Sequence, residues 1–380
     1  MERILIGQLG TLGDCLLASP LARQIKTDYP SSHVTWAVSM TCRQVIDGNP
    51  YVDSVWDFCR GAGETKSDMW YRFKREASTR HMKGLFDLVL FSQIHPDNYQ
   101  NFDGTVRSSI LRSYGRPITV PIAPIVRLRD EEVNRVTSFV QKNKIDKAGR
   151  VVFIETTCTS GQSYITPELS LQIAQCLIAN HPECVAVLSG IEAVESDHPR
   201  IVDASPLSFK ENAELLKFCD LLVGGSSGLS WLATSDWIPN DIDTIQLLCR
   251  DTSVFASMVH DHVHHNLNTK HIIELTERPL TELLRCISAA LEDGVVATQD
   301  RYQKTIRPNF SHYGKIIGGV AGAGNLRKAL QSGRISIDRY GLDVRLLSVL
   351  LWRISFGTLA WFFRASFYQV VALRKRLYRF

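Results

Sequence analysis

Residues 4–21, ILIGQLGTLGDCLLASPL, constrain the fold more than any other stretch of the 380-residue chain. Ile4, Leu5 and Ile6 form the apolar run that a buried parallel strand needs. The run leads to Gly10-Thr11-Leu12-Gly13, one carboxylate follows at Asp14, and Leu17, Leu21 and Ile25 then recur at helical spacing. A strand that ends in a glycine-rich turn and feeds a helix is where an open α/β sheet receives a ligand. Pro20 fits a first helical turn, which makes Ser19 the cap and leaves Asp14 on an irregular segment before the helix. On spacing alone, Asp14 serves equally well as a helix cap or as a reactive carboxylate. A dinucleotide turn fits poorly. Gly7, Gly10 and Gly13 are spaced G-x-x-G-x-x-G, and no acidic residue ends a second strand about 20 residues on.

The rest of the chain repeats this alternation. Strands are expected at residues 33–38, 52–56 and 86–91, the last a buried one. A polar stretch at 61–83 reads as a surface helix over 68–81 or a loop. Residues 127–143 read as a helix and 146–150 as a linker. A second α/β unit then runs through strands at 151–154, 184–188, 201–202 and 220–223, with helices at 167–180 and 210–219. Strands alternating with helices imply parallel sheets with right-handed crossovers. The length and a hydrophobic content of 44% suit two domains with cores of their own. A net charge of +4 is too small to argue for nucleic acid. The 9 cysteines include no C-x-x-C pair, which fits a reducing cytoplasm and neither a zinc site nor a disulfide framework. Met1-Glu2-Arg3 leads directly into the first strand, so no signal peptide is expected.

Two further stretches carry candidate chemistry. Residues 92–115 hold His95, Asp97, Asn98, Tyr99, Asn101, Asp103 and Arg107. Their hydroxyl, amide and charged groups suit a sugar or phosphosugar, and a solvated loop capping a helix fits equally. Residues 221–233, LLVGGSSGLSWLA, repeat the strand, glycine turn and helix pattern, a place where backbone N–H groups can meet a diphosphate. His260, His262, His264 and His265 are read as a surface strand with no metal.

The motif G-x-L-G-D-x-L-x-x-x-P at Gly10–Pro20, then Tyr29-Pro30, Val34-Thr35-Trp36 and Gly48-Asn49-Pro50-Tyr51-Val52-Asp53, resembles the start of glycosyltransferase family 9, the heptosyltransferases. The resemblance is strong over residues 1–60, moderate over 150–235, and elsewhere reaches only the order of elements. It implies a GT-B fold, two Rossmann-like domains facing across a cleft. The expected division is an acceptor domain over 1–145, a nucleotide-sugar domain over 150–310, a linker over 311–342 and a tail over 343–380. The resemblance also implies inverting, metal-independent transfer with Asp14 as general base, no cofactor, and a nucleotide-diphosphate sugar as co-substrate. ADP-heptose is the family default. Gly13, His95, Asp97, Asn98 and Arg107 fall where the acceptor, a lipopolysaccharide or other cell-surface glycan, would be held.

In the second half, Thr156 and Thr157 match the phosphate-contacting pair, and Ser226, Ser227, Gly228 and Leu229 match the frame of the donor turn. Glu195 falls where relatives hold the nucleoside. Three positions depart from the pattern: Gln162 replaces a cation, Ser226 an aspartate and Trp231 a histidine. A cation at Gln162 would have offset charge on the leaving diphosphate. The departures leave room for another nucleotide sugar, for a GT-B epimerase or hydrolase, and for a non-catalytic nucleotide-sugar-binding relative.

The tail, residues 343–380, reads as one long helix. From residue 341 on it carries seven Arg or Lys and one Asp, with Arg353, Arg364 and Lys375 spaced by eleven. Its uncharged runs fall short of the roughly 20 residues of a membrane span. The expectation is a basic amphipathic helix on an anionic membrane, the cytoplasmic face of a bacterial plasma membrane, in place of a strut packed on the first domain.

Overall fold

The computed structural model describes residues 1–252, 256–304 and 306–377, with side chains to residue 364. Two parallel sheets organise the chain. The first holds β1 (Arg3–Gly7), β2 (His33–Val38), β3 (Ser54–Asp57) and β4 (Leu88–Phe91) in the order β3-β2-β1-β4. The second holds β5 (Arg150–Glu155), β6 (Cys184–Ser189), β7 (Ile201–Asp203), β8 (Leu221–Gly224), β9 (Asp243–Leu248) and β10 (Ile272–Thr276) in the order β10-β9-β8-β5-β6-β7. Ile4, Leu5 and Ile6 are fully buried in β1, as their apolar run requires. β4 is an edge strand, so Leu88 is exposed and Leu90 alone is buried, against the expectation of a buried strand.

Each sheet reverses its order of winding beside a glycine-rich turn, and ligands bind at such switch points. In the first sheet the reversal lies between β1 and β4, beside residues 7–13 and 92–98. In the second it lies between β5 and β8, beside residues 155–163 and 224–229. The segments expected to hold acceptor and donor thus end at the two switch points.

Three local expectations are corrected. Asp14 does not lie on an irregular segment. A short helix, Leu12–Ala18, precedes the helix Pro20–Asp28, and Asp14 occupies its first turn. Ser19 and Pro20 do start the second helix as expected. The helix Lys66–Met82 is more than a surface helix, since Trp70 and Phe73 are buried among Trp56, Phe58 and Phe91. His260, His262 and His264 sit on a helix, Met258–His264, whose start is capped by the Ser257 hydroxyl. The strand reading failed because a strand buries alternate residues, whereas here the adjacent Asp261 and His262 are both buried and Val263 and His264 are exposed.

The chain interleaves its two halves. Val136 and Val140, on the helix Asp130–Lys142, bury against Val151 and Phe153 of β5, although the sequence places that helix before the linker. The last helices return to the first half. Ser311–Gly322, Leu326–Tyr340 and Val344–Leu377 form a layer whose buried core includes Phe102, Tyr313, Leu346 and Leu350. The tail is therefore one helix, as expected, and it packs on the body along one face. Over residues 344–364 it is also long and apolar enough to cross a membrane by length and composition, which the count of uncharged runs did not anticipate.

Candidate active site

Asp14 sits where Thr11 ends the first glycine turn. Its Oδ2 accepts hydrogen bonds from the Thr11 N–H at 3.2 Å and the Thr11 hydroxyl at 3.4 Å. Asp14 is not the cap itself: Thr11 is, and Asp14, the third residue of the helix, reaches back to it, which among the described residues leaves Oδ1 without a hydrogen bond. Dense surroundings push the carboxyl up to about 6, against the Thr11 bonds and the positive charge of Lys66, which hold it down. The same Lys66 charge reaches His95. Asp14, His95 and Lys66 therefore share one region at the carboxyl ends of β1 and β4.

The second turn faces the first directly. A Cβ on Gly13 would stand 3.3 Å from the Gly228 Cα, and one on Gly228 would strike the Phe209 ring at 2.9 Å. Glycine at both positions lets the two backbones meet this closely. Behind the turn, Glu155 at the end of β5 accepts the Gly225 N–H at 2.8 Å. Burial pushes this carboxyl up to about 7, with bonds from Ser227, Gly225 and Ser230 opposing. The Ser226 carbonyl accepts from the Ser160 hydroxyl at 3.0 Å, so the loop carrying Gln162 rests on the turn. Gln162 itself is half-buried, and its carbonyl accepts the Cys249 N–H. Ser227 caps the helix Gly228–Leu232, with Leu229 in its first turn. That helix has five residues, too short to supply much dipole.

Thr156 is buried and its hydroxyl has no hydrogen-bond partner in the protein. It points at Gly190, where a Cβ would collide with it, and the Thr157 hydroxyl lies beside it. Among the described residues no Lys or Arg is hydrogen-bonded or ion-paired with residues 156–163 or 224–229, and Arg250 follows directly on the Cys249 that bonds the Gln162 carbonyl. Glu195 stands exposed on the loop after β6.

The expected acceptor residues divide. His95 is exposed, its Nδ1 2.5 Å from the Tyr99 hydroxyl. Asp97 is already paired with Lys74 and Lys328, which hold its carboxyl below its usual range despite burial. Asn98 is buried and holds its own turn by donating to the Phe91 carbonyl at 3.0 Å. Arg107 is 2% exposed, stacked 4.7 Å from the Trp231 ring and 3.4 Å from Asp261. It is enclosed in the seam between the halves and is no open acceptor contact, although its Nε and Nη2 have no hydrogen-bond partner in the protein. Trp231, 7% exposed, is the wall of that seam. Among the described residues no group of three or more His, Cys, Asp or Glu is placed so that it could hold a metal ion.

Sequence reasoning missed Glu155, Lys66 and Phe209. Glu155 was legible as a charge ending the buried run VVFIE. Lys66 and Phe209 carried no signal, since each reaches the site from a distant element.

The two switch points, joined at Gly13 and Gly228, define a GT-B fold. No family model matches the sequence, and no curated protein sequence matches it significantly. Among solved structures, a glycosyl transferase family 9 protein from Veillonella parvula DSM 2008 is similar at a TM-score of 0.53 and 15% identity. The match covers 80% of this chain and 90% of that one. The E. coli ADP-heptose lps heptosyltransferase II is similar at a TM-score of 0.51 and 12% identity, covering 79% of this chain and 100% of that one. In fold the chain is heptosyltransferase-like.

Proposed function

We propose that this protein is an inverting glycosyltransferase that moves a sugar from a nucleotide-diphosphate donor to a hydroxyl of a lipid-linked or cell-surface glycan. The observation that carries the reading is the seam at Gly13 and Gly228. It sets a carboxylate with a free oxygen, on the first switch point, against a turn of backbone N–H groups and hydroxyls on the second.

In this mechanism Asp14 Oδ1 takes the proton from the acceptor hydroxyl as that oxygen attacks the anomeric carbon. The new glycosidic bond forms on the face opposite the bond that breaks, and the nucleoside diphosphate leaves with the electron pair. The N–H groups of residues 226–229 and the Thr156 and Thr157 hydroxyls hold the diphosphate, and the unpartnered Thr156 hydroxyl favours this role. Gln162 orients the same loop as a neutral group. Glu195, exposed on the loop after β6, is assigned to the nucleoside. Gly13 and His95 line the acceptor side, with Lys66 drawing an anionic acceptor by its charge. No cofactor or metal enters the scheme. Heptose from ADP is the default donor, and the setting is the cytoplasmic face of a bacterial plasma membrane, with lipopolysaccharide assembly as its process.

Thermal-shift and calorimetric titration against ADP-, UDP-, GDP- and dTDP-sugars tests the donor, followed by release of nucleoside diphosphate with a glycan acceptor, with and without EDTA. Binding of one nucleotide class with turnover is the expected result. Binding without release under any acceptor tried would make the chain a non-catalytic relative, and binding of none would remove the reading.

A further inference from the structure

The C-terminal helix Val344–Leu377 has two unlike faces. Its inner face lies on the helix Ser311–Gly322. Leu346 and Leu350 are buried there with Tyr313 and Ile317. The two backbones are so close that a Cβ on Gly357 would collide with the Gly318 carbonyl oxygen. Its outer face is bare: Leu351 is 72% exposed, Trp352 61% and Phe363 75%, with Phe356, Leu359 and Phe362 between them. Trp352, Phe356, Leu359 and Phe363 follow one another at helical spacing, so they form one stripe. A soluble surface rarely leaves such a stripe uncovered.

Charge decides what covers it. The one acid from residue 341 on, Asp343, is paired with Arg345. Arg353 and Arg364 follow, and the sequence adds Arg374, Lys375, Arg376 and Arg379 without another acid. Arg353 and Arg364 lie along the seam with the helix Ser311–Gly322, where Arg364 donates to the Gly322 carbonyl at 3.2 Å, so the stripe is flanked by cations with no acid among residues 344–380 to oppose them, which fits the boundary of an anionic bilayer. A protein partner or a second copy would have to bury that excess of cations against acids of its own.

Packing decides the depth. Residues 344–364 are apolar enough to span, yet their inner face is held to the body. The neighbouring helix Leu326–Tyr340 is tied to the first half by Arg339 with Asp103 at 2.9 Å, where both side chains are buried, and by Lys328 donating to the Asp97 carbonyl at 2.7 Å. A spanning helix would either drag these charges into hydrocarbon or strip Leu346 and Leu350 from their core.

We propose that the outer face from Leu351 to Phe363 lies in the plane of an anionic membrane, sunk to the acyl boundary and not crossing it, with the first half of the protein seated on that surface. Asp97, which Lys328 grips, belongs to the same segment after β4 as Gln93, whose side chain accepts the Leu9 N–H beside the first glycine turn. The helical layer that rests on lipid is thereby joined to the acceptor side of the site. This consequence for the acceptor rests on the transferase reading, whereas membrane binding itself does not.

Flotation of the full chain with vesicles of phosphatidylglycerol and phosphatidylcholine tests the proposal, with pure phosphatidylcholine as the comparison. Binding is expected to the anionic vesicles, weakened but not abolished by salt. Trp352→Glu with Phe356→Glu should lower partitioning by about tenfold or more, because two exposed apolar anchors become acids. These positions are exposed, so native circular dichroism and an unchanged melting temperature are expected, and Leu351→Gln serves as a milder variant. Removal of residues 343–380 is a poor substitute, since it uncovers the partners of Leu346 and Leu350. Equal, negligible flotation of the wild type and variants overturns the proposal. So does a wild-type dimer that Trp352→Glu converts to a monomer without lipid binding. Retention in membranes after alkaline carbonate washing, with protease access from both sides, overturns the in-plane placement.

Discussion

Replacing Asp14 by asparagine should reduce turnover by about 100-fold or more while leaving the fold and donor affinity close to native. Asparagine keeps an oxygen that can accept the Thr11 N–H, so the helix cap survives and only the proton acceptor is lost. The pH profile gives the sharper test. A general base works when ionised. With the carboxyl pushed up to about 6 by burial, about 90% is ionised at pH 7 and about 10% at pH 5. The value of kcat/KM should therefore fall about tenfold between pH 7 and pH 5. An ordinary aspartate would lose less than about a tenth of its activity over that range. Lys66→Met should move the acid limb upward, because that charge favours the ionised form. Glu155 titrates nearby, so the profile should be repeated in Glu155→Gln. The assay is initial-rate release of nucleoside diphosphate at subsaturating acceptor. Near-native turnover of Asp14→Asn, or a flat profile from pH 7 to pH 5 in both backgrounds, would refute the role of Asp14.

Three other outcomes follow from the geometry. Glu155 has a folded value near 7, above its ordinary 4.5, so it favours the fold below pH 4.5 and loses that contribution as pH rises through 7, about 3 kcal/mol in all. Denaturant melts at pH 5 and pH 8 should show Glu155→Gln with a shallower loss, Glu274 and Asp14, which burial raises in the same way, still contributing; an unchanged slope counts against it. Arg107→Ala should cost about 3–5 kcal/mol in a urea melt near pH 7, since it leaves the buried Asp261 facing only the His265 imidazole at 3.9 Å, which burial keeps neutral there. Unchanged stability with a raised acceptor KM would return Arg107 to the acceptor site. Gly190→Ala should displace the Thr156 hydroxyl and weaken donor binding, with circular dichroism native; unaltered calorimetric affinity would place the diphosphate elsewhere.

Local pattern settled much of this protein. The apolar run at Ile4–Ile6, the glycine turns and the spacing of Leu17, Leu21 and Ile25 report short-range physics: strand pairing, backbone freedom and one buried helix face. The same holds for the long helix at the C-terminus. These features placed Asp14, Thr156 and the turn at Ser226–Leu229 at strand ends, where parallel sheets open to ligands. Tertiary structure alone decided the rest. Strand order is set by crossovers that local pattern does not encode, so the sequence could not say that residues 92–98 neighbour the first turn or that Gly13 meets Gly228. The fate of a polar side chain depends on partners far along the chain. Arg107 looked available until Asp261 and Trp231 enclosed it, and Asp97 until Lys328 reached it. The tail followed the same rule: its composition announced a basic apolar helix, but only packing showed which face is spent on Leu346 and Leu350 and which face, from Leu351 to Phe363, is left bare.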